Sequence, residues 1–153
     1  MVKKYVSLKE ALQKIKAFCA YQERCHLDVK EKLLDFSLSV NEVDEIIAVL
    51  IEENYLNEER FAAMFAGGKF RIKQWGRVKI SYELKLKQIS AINIKKALAQ
   101  IDEDDYLKTL TKEYEIYLSK QKGIIQNKKF KTLKYLQAKG FEVDVINGVA
   151  KNY

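Results

Sequence analysis

The sequence predicts an all-α protein built from three tandem three-helix repeats in an elongated, curved arrangement. The 153 residues include no proline and only six glycines, which favours continuous helices joined by short turns. Apolar residues recur at helical spacing along the whole chain. They make up 48% of the residues, which is too many for a disordered chain.

Helix signals in the first third of the chain are capping residues followed by apolar stripes. Ser7 and Glu10 have the spacing of a capping box and predict a first helix over 8–22. The apolar pattern predicts a second, short helix over 29–38. Asn41 is expected to cap the third helix.

The middle third contains two asparagines at predicted helix boundaries. Asn54 is expected to follow the third helix, and Asn57 to cap a fourth helix that runs from 58 to about 74. The pair at 67–68, both glycines, is either a close-packing position or a break in that helix. A fifth helix is predicted to restart after Gly76.

Four more helices are predicted to complete the chain. Ser90 or Asn93 opens a sixth helix, and Asp102 heads a long seventh helix. The stretch "NKKFKTLKYLQAKGF" predicts an eighth helix ended by Gly140, and "VDVINGVAKNY" a short ninth.

The helices repeat with a period of 51 or 52 residues. The apolar positions coincide when 29–38, 80–89 and 132–141 are superimposed, although few residues are identical. Amphipathic helices can also align in this way by chance. The period divides the chain into three predicted repeats, residues 1–57, 58–101 and 102–153.

Positive charge is concentrated in the central repeat. Residues 1–57 carry a net charge of −2, residues 58–100 of +7 and residues 101–153 of +2. This distribution predicts a basic surface that faces a polyanion. The alternative is a solvated, lysine-rich helix face.

The candidate contact residues lie in two basic clusters, one in the central repeat and one near the C-terminus. We predict that a partner or a nucleic acid binds Lys69, Arg71, Lys73, Arg77, Lys79, Lys85, Lys87, Lys128, Lys129, Lys131 and Lys134. Trp75 is either a platform for a base or, as we favour, a core anchor. The predicted structural anchors are Phe61, Trp75, Gly76 and Leu84.

No arrangement of residues indicates catalysis, so we predict a protein that is not an enzyme and uses no metal or cofactor. Cys19, Cys25 and His26 are close in sequence but lack a fourth ligand for zinc. The segment 67–69 lacks the spacing of a phosphate-binding loop. Two cysteines are too few for a disulfide framework, and the N-terminus has no apolar signal segment, so we expect a cytoplasmic protein.

The stretch "RFAAMFAGGKFRIKQWGRVKISYELKLKQI" at 60–89 resembles the signature of the RecX family, regulators of the RecA recombinase. The residues that match as they stand are Arg60, Phe61, Ala62, Lys69, Arg71, Lys73, Trp75, Gly76, Arg77, Ile80, Glu83, Leu84, Lys87 and Ile89. The segment 52–62 and the closing segment 138–146 extend the resemblance over essentially the whole chain. Departures are Gln88 and Asn54 where glycine is usual, and "FAGGKF" in place of a more polar run.

The resemblance implies a non-enzymatic regulator in DNA repair and recombination. Such a protein binds the RecA-type recombinase filament on single-stranded DNA and limits ATP hydrolysis and strand exchange. It implies weak, sequence-independent contact with the DNA and no membrane partner, and we expect the chain to act as a monomer.

Two other functions compete with this one. A three-helix unit can present a recognition helix to duplex DNA as a helix-turn-helix protein does. The third helices offer few residues that read bases, namely Asn93, Lys95, Lys96, Asn147 and Lys151. A helical scaffold that meets no nucleic acid is the third possibility.

Overall fold

The structure is a computed structural model that describes residues 6–153. Helices are the only regular elements in this range, which confirms the all-α fold with three-helix repeats. Their bounds are α1 (Leu8–Tyr21), α2 (His26–Leu34), α3 (Val40–Glu52), α4 (Glu58–Lys73), α5 (Arg77–Leu86), α6 (Ala91–Ala99), α7 (Glu103–Lys120), α8 (Ile125–Ala138) and α9 (Val143–Ala150).

The helices pack in three consecutive groups of three. Each helix contacts mainly the other two helices of its own group, α1–α3, α4–α6 or α7–α9. This serial packing favours the predicted elongation. The boundaries at 57/58 and 101/102 stay a prediction, although the linkers between the groups lie at these positions.

The repeat is visible in the backbone itself. The turn after the second helix of each group contains a residue with positive φ, namely Ser37 at 60°, Gln88 at 62° and Gly140 at 96°. These residues lie 51 and 52 positions apart, as the apolar pattern predicts. Leu33, Leu84 and Leu136, which precede them at equivalent positions, are completely buried.

Most predicted caps are confirmed. The side chains of Ser7, Asn57 and Asp102 each accept hydrogen bonds from backbone N–H groups in the first turn of α1, α4 and α7. Ser90, not Asn93, caps α6. Asn54 adopts the left-handed conformation expected of a residue that follows a helix, with φ of 62°.

Two predicted boundaries in the first repeat are wrong. The second helix is α2, His26–Leu34, not 29–38, because the Cys25 thiol caps it three residues earlier and the chain turns at Ser37. The third helix is capped by Ser39, not Asn41, because Ser39 and Glu42 form a reciprocal capping box.

The helix α4 is continuous through Gly67 and Gly68. Gly67 is buried under the guanidinium group of Arg71, where an added Cβ would lie 2.8 Å from Arg71 Nη1. At Gly68 an added Cβ would meet no atom of the described residues within 4 Å. The first glycine packs closely against the end of one flexible side chain, and the second is not explained by packing among residues 6–153.

Buried side chains form two cores. One core belongs to the first repeat and includes Ile15, Leu33 and Leu50. The other is formed mainly by the second and third repeats, includes Leu84 and Tyr106, and also takes in Cys25 from the start of α2. The second and third repeats are therefore joined by a common core. None of the helices within 6–153 is both long and apolar enough to cross a membrane.

Candidate partner and nucleic-acid interface

The joint between α4 and α5 is held by the third repeat. Gly76 is the N-cap of α5 and has no side chain with which to cap it. The backbone N–H groups at this helix start are satisfied instead by groups of the third repeat. Gly76 N donates to Lys139 O at 2.8 Å, Arg77 N to Tyr106 Oη at 3.0 Å and Val78 N to Gly140 O at 2.9 Å.

These hydrogen bonds require two backbones to approach closely. A Cβ added to Gly76 would lie 2.3 Å from the carbonyl carbon and oxygen of Gly140 and from Phe141 N. A Cβ added to Gly140 would lie 2.3 Å from Lys79 Cβ. Glycine at position 76 is therefore needed for contact between repeats, since its own φ of −79° is available to any residue.

Arg77 is bound inside the molecule. Its Nε donates to Glu142 at 2.8 Å, its Nη1 donates to Glu103 at 2.9 Å, and its guanidinium lies 4.0 Å from the centre of the Tyr106 ring. The Tyr106 hydroxyl donates in turn to Glu142. Burial, followed by this hydrogen bond, raises the pKa of Tyr106 above its ordinary value of 10, so it remains a neutral donor. Arg77 therefore helps to join the second and third repeats. That it also contacts a partner stays a prediction.

Trp75 lies at the centre of a cluster of lysines and aromatic rings. The ammonium groups of Lys69 and Lys79 lie 5.0 and 4.4 Å from its ring centre. Lys69 and Lys87 lie 5.4 and 5.8 Å from the ring centre of Phe65. Cation–π attraction thus holds three lysines together in spite of their like charge.

The predicted structural anchors lie in or against the shared core. Phe61, Gly76 and Leu84 are buried, and Trp75 is half-buried and packs against the same core. This position suits an anchor better than a free stacking platform, because lysines of the chain itself lie over the indole ring.

The remaining predicted contact residues of the central repeat, Arg71, Lys73 and Lys85, are exposed. Arg71 covers Gly67 at the edge of a cavity that Asp102 and Asp105 also line. Lys73 and Lys85 project from α4 and α5. Within residues 6–153, Arg77 is the one predicted contact residue that forms an ion pair.

The lysines of α8 form a weaker candidate surface. The Lys129 ammonium donates to Ala150 O at 3.2 Å and so binds the C-terminal end of α9. Lys134 lies over the ring of Phe130, whereas Lys131 is exposed and Lys128 half-buried. At least one of these four lysines therefore has a partner within the chain.

In the helix-turn-helix alternative α6 would be the recognition helix, and its residue Asn93 is already hydrogen-bonded within the chain. The Asn93 amide and the Ser90 hydroxyl both donate to the Glu58 carboxylate, which ties the start of α6 to the start of α4. Burial raises the pKa of Glu58, but these hydrogen bonds lower it by more, so the pKa lies below the ordinary 4.5. Asn93 is therefore not free to read a base.

The two cysteines are buried free thiols. Burial raises the pKa of the Cys25 thiol to about 11, so Cys25 is a neutral helix cap. Across residues 6–153, histidine, cysteine and carboxylate side chains form no group that could hold a metal ion.

Sequence reasoning missed the residues of the third repeat that complete the joint, which are Glu103, Tyr106, Gly140 and Glu142. Gly140 occupies the turn position of the repeat, and that signal identified it as a helix end. Its contact with Gly76 joins positions far apart in sequence and leaves no local pattern.

The fold and the joint define a class of protein, an all-α chain of three-helix repeats with a basic central repeat. Residues 57–98 match the sequence model described as RecX, second three-helix domain. The regulatory protein RecX of Clostridium perfringens is 29% identical over 128 residues, which cover 81% of this chain and 59% of that protein. The regulatory protein RecX of Bacillus subtilis is 28% identical over 141 residues, which cover 92% of this chain and 53% of that protein.

Solved structures share the fold. The crystal structure of RecX from Lactobacillus salivarius superimposes with a TM-score of 0.85 at 21% identity and covers 95% of both chains. A second crystal structure of a regulatory protein RecX gives a TM-score of 0.84 at 20% identity, over 94% of this chain and 71% of that chain.

The chain is therefore similar to RecX proteins, through the matched domain at 57–98 and through relatives that are 28–29% identical over most of its length. The chain spans about half the length of the curated relatives that it matches, from 39% to 59% for the first three.

Proposed function

We propose that the chain binds a RecA-type recombinase filament on single-stranded DNA and lowers its rates of ATP hydrolysis and strand exchange. The observation that carries the proposal is the central repeat, because the part that matches the RecX domain also holds the basic surface of α4 and α5. We expect the chain to act as a monomer, without catalysis of its own, in the cytoplasm.

The charges of the central repeat support contact with a polyanion. Lys73 and Lys85 are exposed and, within residues 6–153, take part in no ion pair. Their ammonium groups can neutralise phosphates and release counterions at little cost in broken contacts. DNA contact of this kind is weak, salt-dependent and blind to sequence.

The proposal is tested with charge-reversal variants on preformed filaments. We expect Lys73→Glu with Lys85→Glu to weaken both filament binding and the inhibition of ATP hydrolysis. The matched control is Lys9→Glu with Lys30→Glu, which makes the same change in net charge at exposed positions of the first repeat. If both double variants inhibit as the wild type does, the central lysines are not in the interface.

A titration with labelled oligonucleotide separates this proposal from the alternatives. Each lysine that neutralises one phosphate of a single strand contributes about 0.7 to the slope of log affinity against log salt. Lys85→Gln should therefore reduce that slope by about 0.7. Tight, sequence-selective binding to duplex DNA would favour the helix-turn-helix alternative, and no effect on DNA or filament would favour the scaffold.

A further inference from the structure

One row of α4 exposes apolar side chains around a glycine that the fold does not need. Met64, Gly68 and Ile72 are four residues apart and therefore lie on one face of the helix. The side chains of Met64 and Ile72 are 59% and 75% exposed. A shallow groove of about 290 Å³ follows this row.

Gly68 weakens the helix without a gain in packing within the chain. Glycine in a helix interior is less stable than alanine because it loses more backbone freedom on folding. A Cβ at Gly68 would meet nothing within 4 Å, so no neighbour in the described chain requires its absence. A glycine between two large exposed apolar side chains leaves a notch into which another backbone can fit.

Basic side chains border this row on both sides. Lys69 and Lys73 lie along one edge, and Arg71 lies along the other, over Gly67. A partner that fills the notch must therefore place apolar atoms at its centre and carboxylates at its margins.

We infer that the row of Met64, Gly68 and Ile72 is a docking surface for a helix of a protein partner, apolar along its centre and acidic at its edges. A nucleic acid would place phosphates against Met64 and Ile72, and apolar side chains make no favourable contact with phosphates. A second copy docked through the same row would bring like charges, Lys73 and Arg71 of each copy, together. This inference rests on the proposed function, in which the partner is the recombinase protomer. It identifies the surface that contacts the recombinase protein and not the DNA.

The test uses Gly68→Ala and Gly68→Gln, with Gly148→Ala as the matched control. Gly148 lies in α9, where an added Cβ also meets nothing within 4 Å. Both alanine variants should raise Tm by about 2–4 °C, because alanine favours the helix. Filament binding should fall at least tenfold in Gly68→Ala and further in Gly68→Gln, while Gly148→Ala binds as the wild type does.

Affinity for single-stranded DNA alone should be unchanged in the Gly68 variants. Should either of them fail to fold, Ile72→Ser supplies the same test at a side chain that is 75% exposed. A photo-crosslinker at position 72 should label the recombinase and not the DNA.

Four outcomes would overturn the inference. In the first, the Gly68 variants bind filaments as the wild type does, and in the second they lose as much affinity for DNA alone as for the filament. In the third, the crosslinker at position 72 labels the DNA. In the fourth, the wild type forms dimers that Gly68→Gln abolishes. A wild-type protein that binds no filament refutes the proposed function first and this inference with it. If the wild type and the Gly68 variants bind the filament equally well, only this inference is refuted and the proposed function stands.

Discussion

Gly76→Ala is the substitution that most directly tests how the second and third repeats are joined. The added Cβ would lie 2.3 Å from three backbone atoms of Gly140 and Phe141, and backbone atoms cannot move aside as the end of a flexible side chain can. The start of α5 must therefore separate from the third repeat.

The cost follows from the contacts at this joint. Three hydrogen bonds are lost, from Gly76, Arg77 and Val78, at about 1 kcal/mol each. The reduced freedom of the unfolded chain returns about 0.4–1 kcal/mol. We therefore expect the free energy of unfolding to fall by about 2–3 kcal/mol.

Urea unfolding followed by the fluorescence of Trp75 measures this change, since the chain's only tryptophan adjoins the joint. Gly148→Ala controls for the general effect of glycine replacement and should stabilise the protein by about 0.5–1 kcal/mol. An unchanged or higher midpoint for Gly76→Ala would refute the close approach of the two repeats.

Three other predictions concern the residues around the joint and the interface. A double-mutant cycle of Arg77→Ala and Glu142→Ala should give a coupling of about 1–2 kcal/mol, and additive effects would contradict the ion pair between repeats. Glu58→Gln should destabilise the protein at neutral pH. Because the folded-state pKa of Glu58 is below its ordinary 4.5, the difference from wild type should shrink as the pH falls through that folded-state pKa, and a difference independent of pH would be contrary evidence. Trp75→Leu should lower stability but leave affinity for single-stranded DNA unchanged, whereas a stacking role would weaken DNA binding by about 1–3 kcal/mol.

Much of the fold was predictable because helix signals are local. Ser7, Asn57 and Asp102 cap helices as predicted, since each side chain bonds to backbone groups two or three residues away. The period was predictable from apolar spacing, and it recurs in the positive φ of Gln88 and Gly140. The turn after the second helix has a positive φ even at position 88, where glutamine and not glycine is present.

The candidate site was less predictable because its contacts join distant residues. Arg77 matched a basic motif, but its pairing with Glu142, 65 positions away, has no signature in the local sequence. Asn93 resembled a residue available for DNA until Glu58, 35 positions before it, proved to accept its hydrogen bonds. Single-sequence reasoning found the charges but could not tell which of them the fold itself uses.

The hydrolysis of ATP by a preformed recombinase filament on single-stranded DNA tests the central proposal most directly. Stoichiometric addition of the purified chain should slow hydrolysis, and rising salt should weaken the effect because lysines of the central repeat contribute to binding. A hydrolysis rate that stays constant throughout the titration at low salt would contradict the proposed function.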